Sequence, residues 1–407
     1  MGAPSASVPS SIQVRSVEGV RRTTASETVR SPPNHEPTED EGVQNPLLED
    51  RPWFISLTPD MPVLVGEATD AAFATRFRQA LSGQTQSHFP RTQYAPNSIS
   101  TSLTLVNFPI PAAARARFLT KIAFGTICQR YHLVRKRCFM DVLERSIQNP
   151  AQCDAISTCR LFAIFALGEA YSARAAFPGV KFPVIDYYNI ATHILRNISE
   201  KPRIECVQVM VMLVSALEAR NVLRQYTDDV QSLYAMAMNR RHAAYCMAGS
   251  AMRFALLMGL HHNVPHTQVL DRELVEHRVR LWWAVYMLDR QWATLLGQPV
   301  SIRDEDIDVA LPSSEGLSNT CADEFHAPDV DIAGLRIARL GAEITASIYG
   351  RNMQEVSFSN RVQQALKKLY EWLRSLPESL LIKANDSSND TEVKDMMLQL
   401  YYNQVSI

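Results

Sequence analysis

From Ala112 onward, apolar residues recur at three- and four-residue steps over most of the chain, the period that lines one face of a helix. Ala244, Met247, Ala248, Ala251, Phe254, Ala255 and Met258 form such a face. Gly259 can take the left-handed conformation that ends a helix, and Leu260 is the hydrophobe that closes such a cap. A second pattern opens at Asp271, whose carboxylate can accept the free backbone N–H groups of a first turn that also carries Glu273. Leu274, Leu281, Val285, Leu288, Trp292 and Leu295 continue it as one stripe, widened by Trp282, Tyr286 and Leu296. Gly297 and Pro299 end it, which predicts a core helix of roughly 25 residues, about 38 Å long. Ile302 and the carboxylates Asp304, Glu305, Asp306 and Asp308 follow at once.

The same periodicity predicts helices through Leu161, Phe162, Phe165, Ala166 and Glu169, and through Val207, Met210, Val211, Val214 and Leu217. Others run through Leu335, Leu340 and Ile344, and through Val362, Leu366, Leu369, Trp372, Leu373 and Leu376. Breaks fall at Asn149-Pro150, Pro178-Gly179, Pro183, Pro202 and Pro265, and a loop rich in Ser, Pro and acid runs from Pro312 to about Asp331. No alternating strand pattern persists and no repeat period shows, so the fold class is all-α.

Residues 1–50 are rich in Ser, Pro, Glu and Thr without apolar periodicity and read as a disordered leader, a linker or an acidic recruiting segment. Residues 51–111 read as a linker with a short helical extension. Its apolar Trp53–Val65 stretch is interrupted by Pro59 and Pro62, and the helix carries Ala72, Phe73, Phe77 and Leu81. Residues 112–407 then form one large multi-helix domain. The last segment carries Leu398, Leu400, Tyr401 and Val405 with no later helix to cover them, so the C-terminus is expected to be truncated and the chain to self-associate.

Composition narrows the function classes. A formal net charge of −1 over 407 residues gives no general surface for nucleic-acid phosphates, and the longest apolar runs fall far short of the roughly 18 residues of a membrane span. The N-terminus has neither the positive region nor the apolar run of a signal peptide, which points inside the cell. Seven scattered cysteines, Cys128, Cys138, Cys153, Cys159, Cys206, Cys246 and Cys321, suit reduced thiols on helix faces better than a disulfide framework.

Candidate chemistry is sparse. A binuclear zinc cluster needs C-x2-C pairs and the sequence contains none, so no metal site is assigned. His261, His262 and His266 lack a placed fourth ligand. Asp304, Asp306 and Asp308 with Glu315 imitate a calcium loop, but Val309 stands where that loop needs glycine; these acids are expected to pair with arginines or cap a turn. Arg280 is expected to pair with Glu276 on the surface, and Arg278, on the apolar stripe, to meet a carboxylate from another element. No nucleophile elbow, zinc-protease motif, phosphate-binding loop or dinucleotide fingerprint is present, so no catalytic or cofactor-binding residue is assigned and the chain is read as not an enzyme.

One constellation is specific. Gly259, Leu260 and His261 close a helix, and Glu276, Arg278 and Arg280 precede the aromatic pair Trp282 and Trp283. Leu288, Asp289 and Arg290, then Gly297 and Pro299, then Asp306, Asp308 and Pro312 complete the series. In this order the residues resemble the fungal-specific transcription factor domain, the middle homology region of fungal zinc-cluster regulators of the xylanolytic-activator type. Gln298 departs from the arginine common there. The resemblance implies a nuclear regulator of RNA polymerase II transcription, partnered by DNA, by the transcription machinery or another regulator, with a small-molecule effector and a homodimer as further partners. It implies zinc only through an N-terminal cluster that this sequence lacks. The alternative is a helical effector-sensing or protein-interaction scaffold without direct DNA binding.

Overall fold

The computed structural model describes residues 54–58, 61–64, 81, 108–172, 183–199, 202–223, 231–265, 271–317, 324–349, 356–377, 380, 398 and 402. Of the two compact units into which the chain separates, residues 1–46 lie outside the described residues, and everything below concerns residues 47–407. The leader and most of the extension helix before Leu81 lie outside them too.

The Trp53–Val65 stretch holds a β-hairpin, where no strand was expected. β1 (Phe54–Thr58) pairs antiparallel with β2 (Met61–Leu64), Phe54 opposite Leu64 and Thr58 opposite Met61, with an irregularity between Ser56 and Thr58. Pro62 is tolerated because a two-stranded ribbon has two edges, so one side of each strand needs no ladder donor.

The rest is helical: α1 (Ala113–Gly125), α2 (Ile127–Arg130), α3 (Lys136–Gln148), α4 (Ala155–Ala170), α5 (Pro183–Ile198), α6 (Ile204–Leu223), α7 (Gln231–Leu257), α8 (Arg272–Leu296), α9 (Pro328–Tyr349) and α10 (Phe358–Arg374). Pro183 and Pro328 begin helices, at positions where a missing N–H costs nothing. α4 packs on α1, α5 and α6; α6 packs on α7; and α8 lies against α6, α7 and α9, with α10 outside α9.

Three helices make the centre. α4 is buried at every position from Leu161 to Ala170, and α6 from Cys206 to Leu217, as expected of helices that are apolar all round. Gly168 lets α4 meet α1: a Cβ there would lie 2.1 Å from the Leu119 carbonyl oxygen. α8 is the third, and the single apolar stripe read from its pattern understates it. Every residue from Glu276 to Ala293 is buried, charged ones included.

Both predicted stops form the same cap. Gly259 sits at φ 62°, with Leu260 N–H bonding Ala255 O at 3.0 Å and Gly259 N–H bonding Leu256 O at 2.9 Å. Gly297 sits at φ 61°, with Gln298 N–H on Ala293 O at 2.8 Å and Gly297 N–H on Thr294 O at 3.2 Å. These crossed pairs are Schellman motifs, which require a residue at positive φ and therefore favour glycine. At the other end of α8, Asp271 accepts from Glu273 N–H at 3.0 Å.

At the C-terminal end α10 forms through Leu366 as expected, but the apolar pattern does not fix which side chains are buried. Leu366 is 54% exposed, because α10 turns Ala365, Leu369 and Trp372 inward instead. Leu398 is buried against the core rather than uncovered, and the Tyr402 ring stacks on Trp372 at 5.8 Å. Leu400, Tyr401 and Val405 lie outside the described residues. No helix among the described residues is long and apolar enough to cross a membrane.

Candidate functional site

The signature residues are joined by one construction, a strap of residues 298–313 that runs back along α8. The chain reverses at Gly297, and the strap then meets α8 at successive turns. Ser301 donates its backbone N–H to Asp289 Oδ2 at 3.0 Å and its hydroxyl to Asp289 Oδ1. Arg290 donates to Ile302 O at 3.2 Å and pairs with Asp304. Asp304 also accepts the Tyr286 hydroxyl at 2.8 Å, and the Arg290 guanidinium lies 3.4 Å over the Tyr286 ring. One turn earlier on α8, Trp283 donates Nε1–H to Ala310 O at 2.8 Å. The strap ends with Ser313 N–H on Glu276 Oε1 at 3.0 Å.

The turn after α7 holds the strap from the other side. The carbonyl of His261 accepts from Asp308 N–H at 3.1 Å and Val309 N–H at 3.0 Å. Asn263 donates to Asp308 O at 2.7 Å and accepts from Ala310 N–H at 3.0 Å, and His262 pairs with the Asp308 carboxylate. Pro299 O accepts the Tyr245 hydroxyl of α7 at 3.1 Å, and Pro312 is buried at the far end. Asp306 is exposed in a short 3-10 turn, donating its N–H to Arg303 O at 3.3 Å. The acids after α8 thus divide among arginine pairing at Asp304, histidine pairing at Asp308 and turn formation at Asp306.

The charges on the first half of α8 sit otherwise than expected. Arg280 does meet Glu276, at 2.6 Å, but its side chain is fully buried rather than on the surface. It also donates to His326 O at 2.6 Å and reaches Asp331 at 3.4 Å, while His326 Nε2 lies 2.9 Å from Asp331. Burial pushes the Glu276 carboxyl up, against the opposing pull of Arg280. Arg278 meets no carboxylate among the described residues. Its Nη2–H donates to Met258 O at 2.9 Å, one of the last carbonyls of the α7 turn, and burial brings its pKa down to about 10. The partial negative charge of a helix C-terminus takes the place of a formal counter-charge.

Beside this lies a buried polar chain that no sequence pattern announced. His277 Nδ1 is 2.8 Å from His132 Nε2, and His277 Nε2 is 2.8 Å from Gln208 Nε2. The Gln208 amide can only donate there, so His277 carries its proton on Nδ1 and gives that bond to His132. His132 bonds the Glu324 backbone and stacks on Phe325 at 4.6 Å. Burial holds His277 at about 3 and His132 well below the usual histidine range, with the neighbouring arginines adding to it.

Between the C-terminal end of α8 and α9 opens a cleft of about 1050 Å3. Small residues on both helices make the space: Ala293, Thr294 and Gly297 face Ala342, Thr345 and Ala346. The charged residues Arg290, Arg303, Arg339, Asp304, Glu305 and Glu343 line it too, with strap residues such as Pro299 and Val300. Among the described residues no group of three or more His, Cys, Asp or Glu is arranged to hold a metal; His266 and Cys321 lie outside them.

The residues that sequence reasoning missed as site members are Asn263, Ser301, Asp331, His326, His132, Gln208 and Arg339. Asn263 and Ser301 adjoin signature residues and were within reach. The others come from elements remote in sequence from α8.

The comparisons with known proteins fit this construction. The model of the fungal specific transcription factor domain matches residues 230–404, which contain α7 through α10 and the strap. An uncharacterized transcriptional regulatory protein of Schizosaccharomyces pombe is 24% identical over 335 residues, covering 80% of this chain and 40% of that protein. Activator of stress genes 1 of Saccharomyces cerevisiae is 25% identical over 230 residues, 54% of this chain and 22% of its own length. A probable transcription factor of Fusarium proliferatum is 31% identical over 127 residues, 30% of this chain and 18% of its own. The chain therefore spans well under half the length of the relatives it matches. No solved structure matches it. Residues 230–404 thus match the fungal specific transcription factor domain, and the chain is similar over part of its length to fungal proteins named as transcriptional regulators.

Proposed function

We propose that the chain is the regulatory part of a nuclear factor that controls RNA polymerase II transcription. The observation that carries this is the domain match over residues 230–404 together with relatives named as transcriptional regulators. The arrangement of α8 supports a regulatory rather than a catalytic role: its buried charged residues are spent on the strap and on neighbouring helices. DNA is contacted through a separate module, in this polypeptide or a partner, and zinc enters only there, since the sequence has no C-x2-C pair. A fusion of residues 47–407 to a heterologous DNA-binding module, placed upstream of a reporter in yeast, tests the reading. Output is expected to change several-fold, up or down. Unchanged output from a fusion that is expressed, nuclear and bound to its site would overturn it.

A second reading, a helical effector-sensing scaffold, is favoured by the cleft between α8 and α9. It requires no DNA contact by any part of the protein and predicts ligand binding without a change in the reporter.

A further inference from the structure

We propose that the cleft between α8 and α9 binds a small organic acid, one carboxylate on an apolar body. The proposal concerns binding by this chain; only its effect on transcription would rest on the regulatory reading above.

The cleft is of the size that small-molecule sites take, and its lining has the mixed character of such sites, apolar residues together with charged ones. Ala293, Ala342, Ala346, Pro299 and Val300 supply the apolar part. Short side chains at facing turns of two packed helices would ordinarily let the helices close on each other. Here the strap holds the cleft open, since Asp304 pairs with Arg290 on α8 and with Arg339 on α9.

The charge around Asp304 is unbalanced. Two guanidiniums share the single carboxylate of Asp304. Farther out the wall carries Arg303, Glu305 and Glu343, and Glu343 is taken by Lys368 of α10, so the local surplus of donors is the second guanidinium on Asp304. The donors are unsatisfied as well. Arg290 Nη1 and Thr294 Oγ1, both shielded from solvent, have no hydrogen-bond partner, although Arg290 is only 2% exposed. Arg339 spends Nε on Asp304 and is 62% exposed, which leaves the outer edge of its guanidinium facing the opening. A planar fork of donors where two guanidiniums share one carboxylate recognises a further carboxylate better than a neutral acceptor. The negative end of the α8 dipole does not oppose this strongly, because Gly297 and Gln298 N–H already cap the Thr294 and Ala293 carbonyls. One anionic group fits the donors that Arg290, Arg339 and Thr294 leave unused, and the alanine-lined remainder fits an apolar body.

Isothermal titration of the purified full chain with octanoate and phenylpropanoate, and with octanamide as the neutral counterpart, tests the proposal. At least one of the acids is expected to bind, and octanamide about tenfold or more weaker than octanoate if octanoate is that acid. Arg339→Gln, which leaves Asp304 paired with Arg290, is expected to lower the acid's affinity about tenfold, and Ala346→Trp, at an exposed wall position, to abolish binding. Thermal unfolding checks that both variants remain folded. The proposal is overturned if neither acid binds, if octanamide matches octanoate, or if both folded variants bind like the wild type. Because no promoter is involved, these outcomes are independent of the reporter result.

Discussion

Asp304 and Arg290 form an ion pair that ties the strap to α8, fourteen positions apart in sequence, with the Tyr286 hydroxyl and Arg339 on the same carboxylate. Burial raises the Asp304 carboxyl, but the Tyr286 hydrogen bond and the two arginines outweigh it and hold the group below its usual range. Replacing Asp304 with Ala leaves Arg290 buried and unpaired, which is expected to cost about 3 kcal/mol. Urea unfolding of Asp304→Ala measures this; a midpoint equal to wild type would mean that the strap is held by its backbone contacts alone.

The His132 and His277 pair makes a separate, pH-dependent contribution. His277 is lowered from 6.5 to about 3 in the fold, so between those values the unfolded chain binds a proton that the folded chain does not. Its contribution is fully present above about pH 6.5 and is lost as pH falls below that, by up to about 1.4 kcal/mol per unit for each such histidine. Urea titrations at about pH 7.5 and about pH 5.5 should show a clear loss at the lower value, and His277→Gln should flatten it. The loss lies above the window in which carboxylates such as Asp304 titrate, which separates the two causes. Equal stability at both pH values would contradict it.

Trp282 lies at 0% exposure on α8, with the His261 ring 5.6 Å away. Trp282→Ala removes the largest fully buried side chain and is expected to cost about 3–5 kcal/mol. A chemical-denaturation midpoint that does not move would show that the surrounding helices collapse onto the vacancy.

DNA binding by this chain alone is expected to be weak and indifferent to sequence. The formal net charge of −1 offers little counterion release, and Arg278, Arg280 and Arg290 of α8 are buried in pairs and caps. Fluorescence anisotropy at physiological salt with random and promoter-derived duplexes checks it; nanomolar, sequence-selective binding would show a DNA-reading surface that neither charge nor motif reveals.

What the sequence determined by itself is what neighbouring residues decide. The period of apolar positions placed α4, α6, α7 and α8, and Asp271, Gly259 and Gly297 marked ends that formed at those residues, because a helix and its caps are built from groups within about six positions of one another. The order of signature residues from Gly259 to Pro312 was enough to point to the domain, since it is itself a linear pattern. Tertiary structure alone decided what the charges do. Arg280 is buried because Asp331, fifty-one positions on, and the His326 carbonyl come to it, and Arg278 needs no carboxylate because the end of α7 faces it. Leu366 turned outward because only part of the wide apolar face of α10 is covered by α9, and Leu398 turned inward because a core surface was waiting. The His132, His277 and Gln208 chain and the cleft beside Arg339 belong to the same class. Each depends on elements far apart in the chain being brought together, and burial and hydrogen-bond satisfaction at such meetings are properties of the packed helices, which no local pattern encodes.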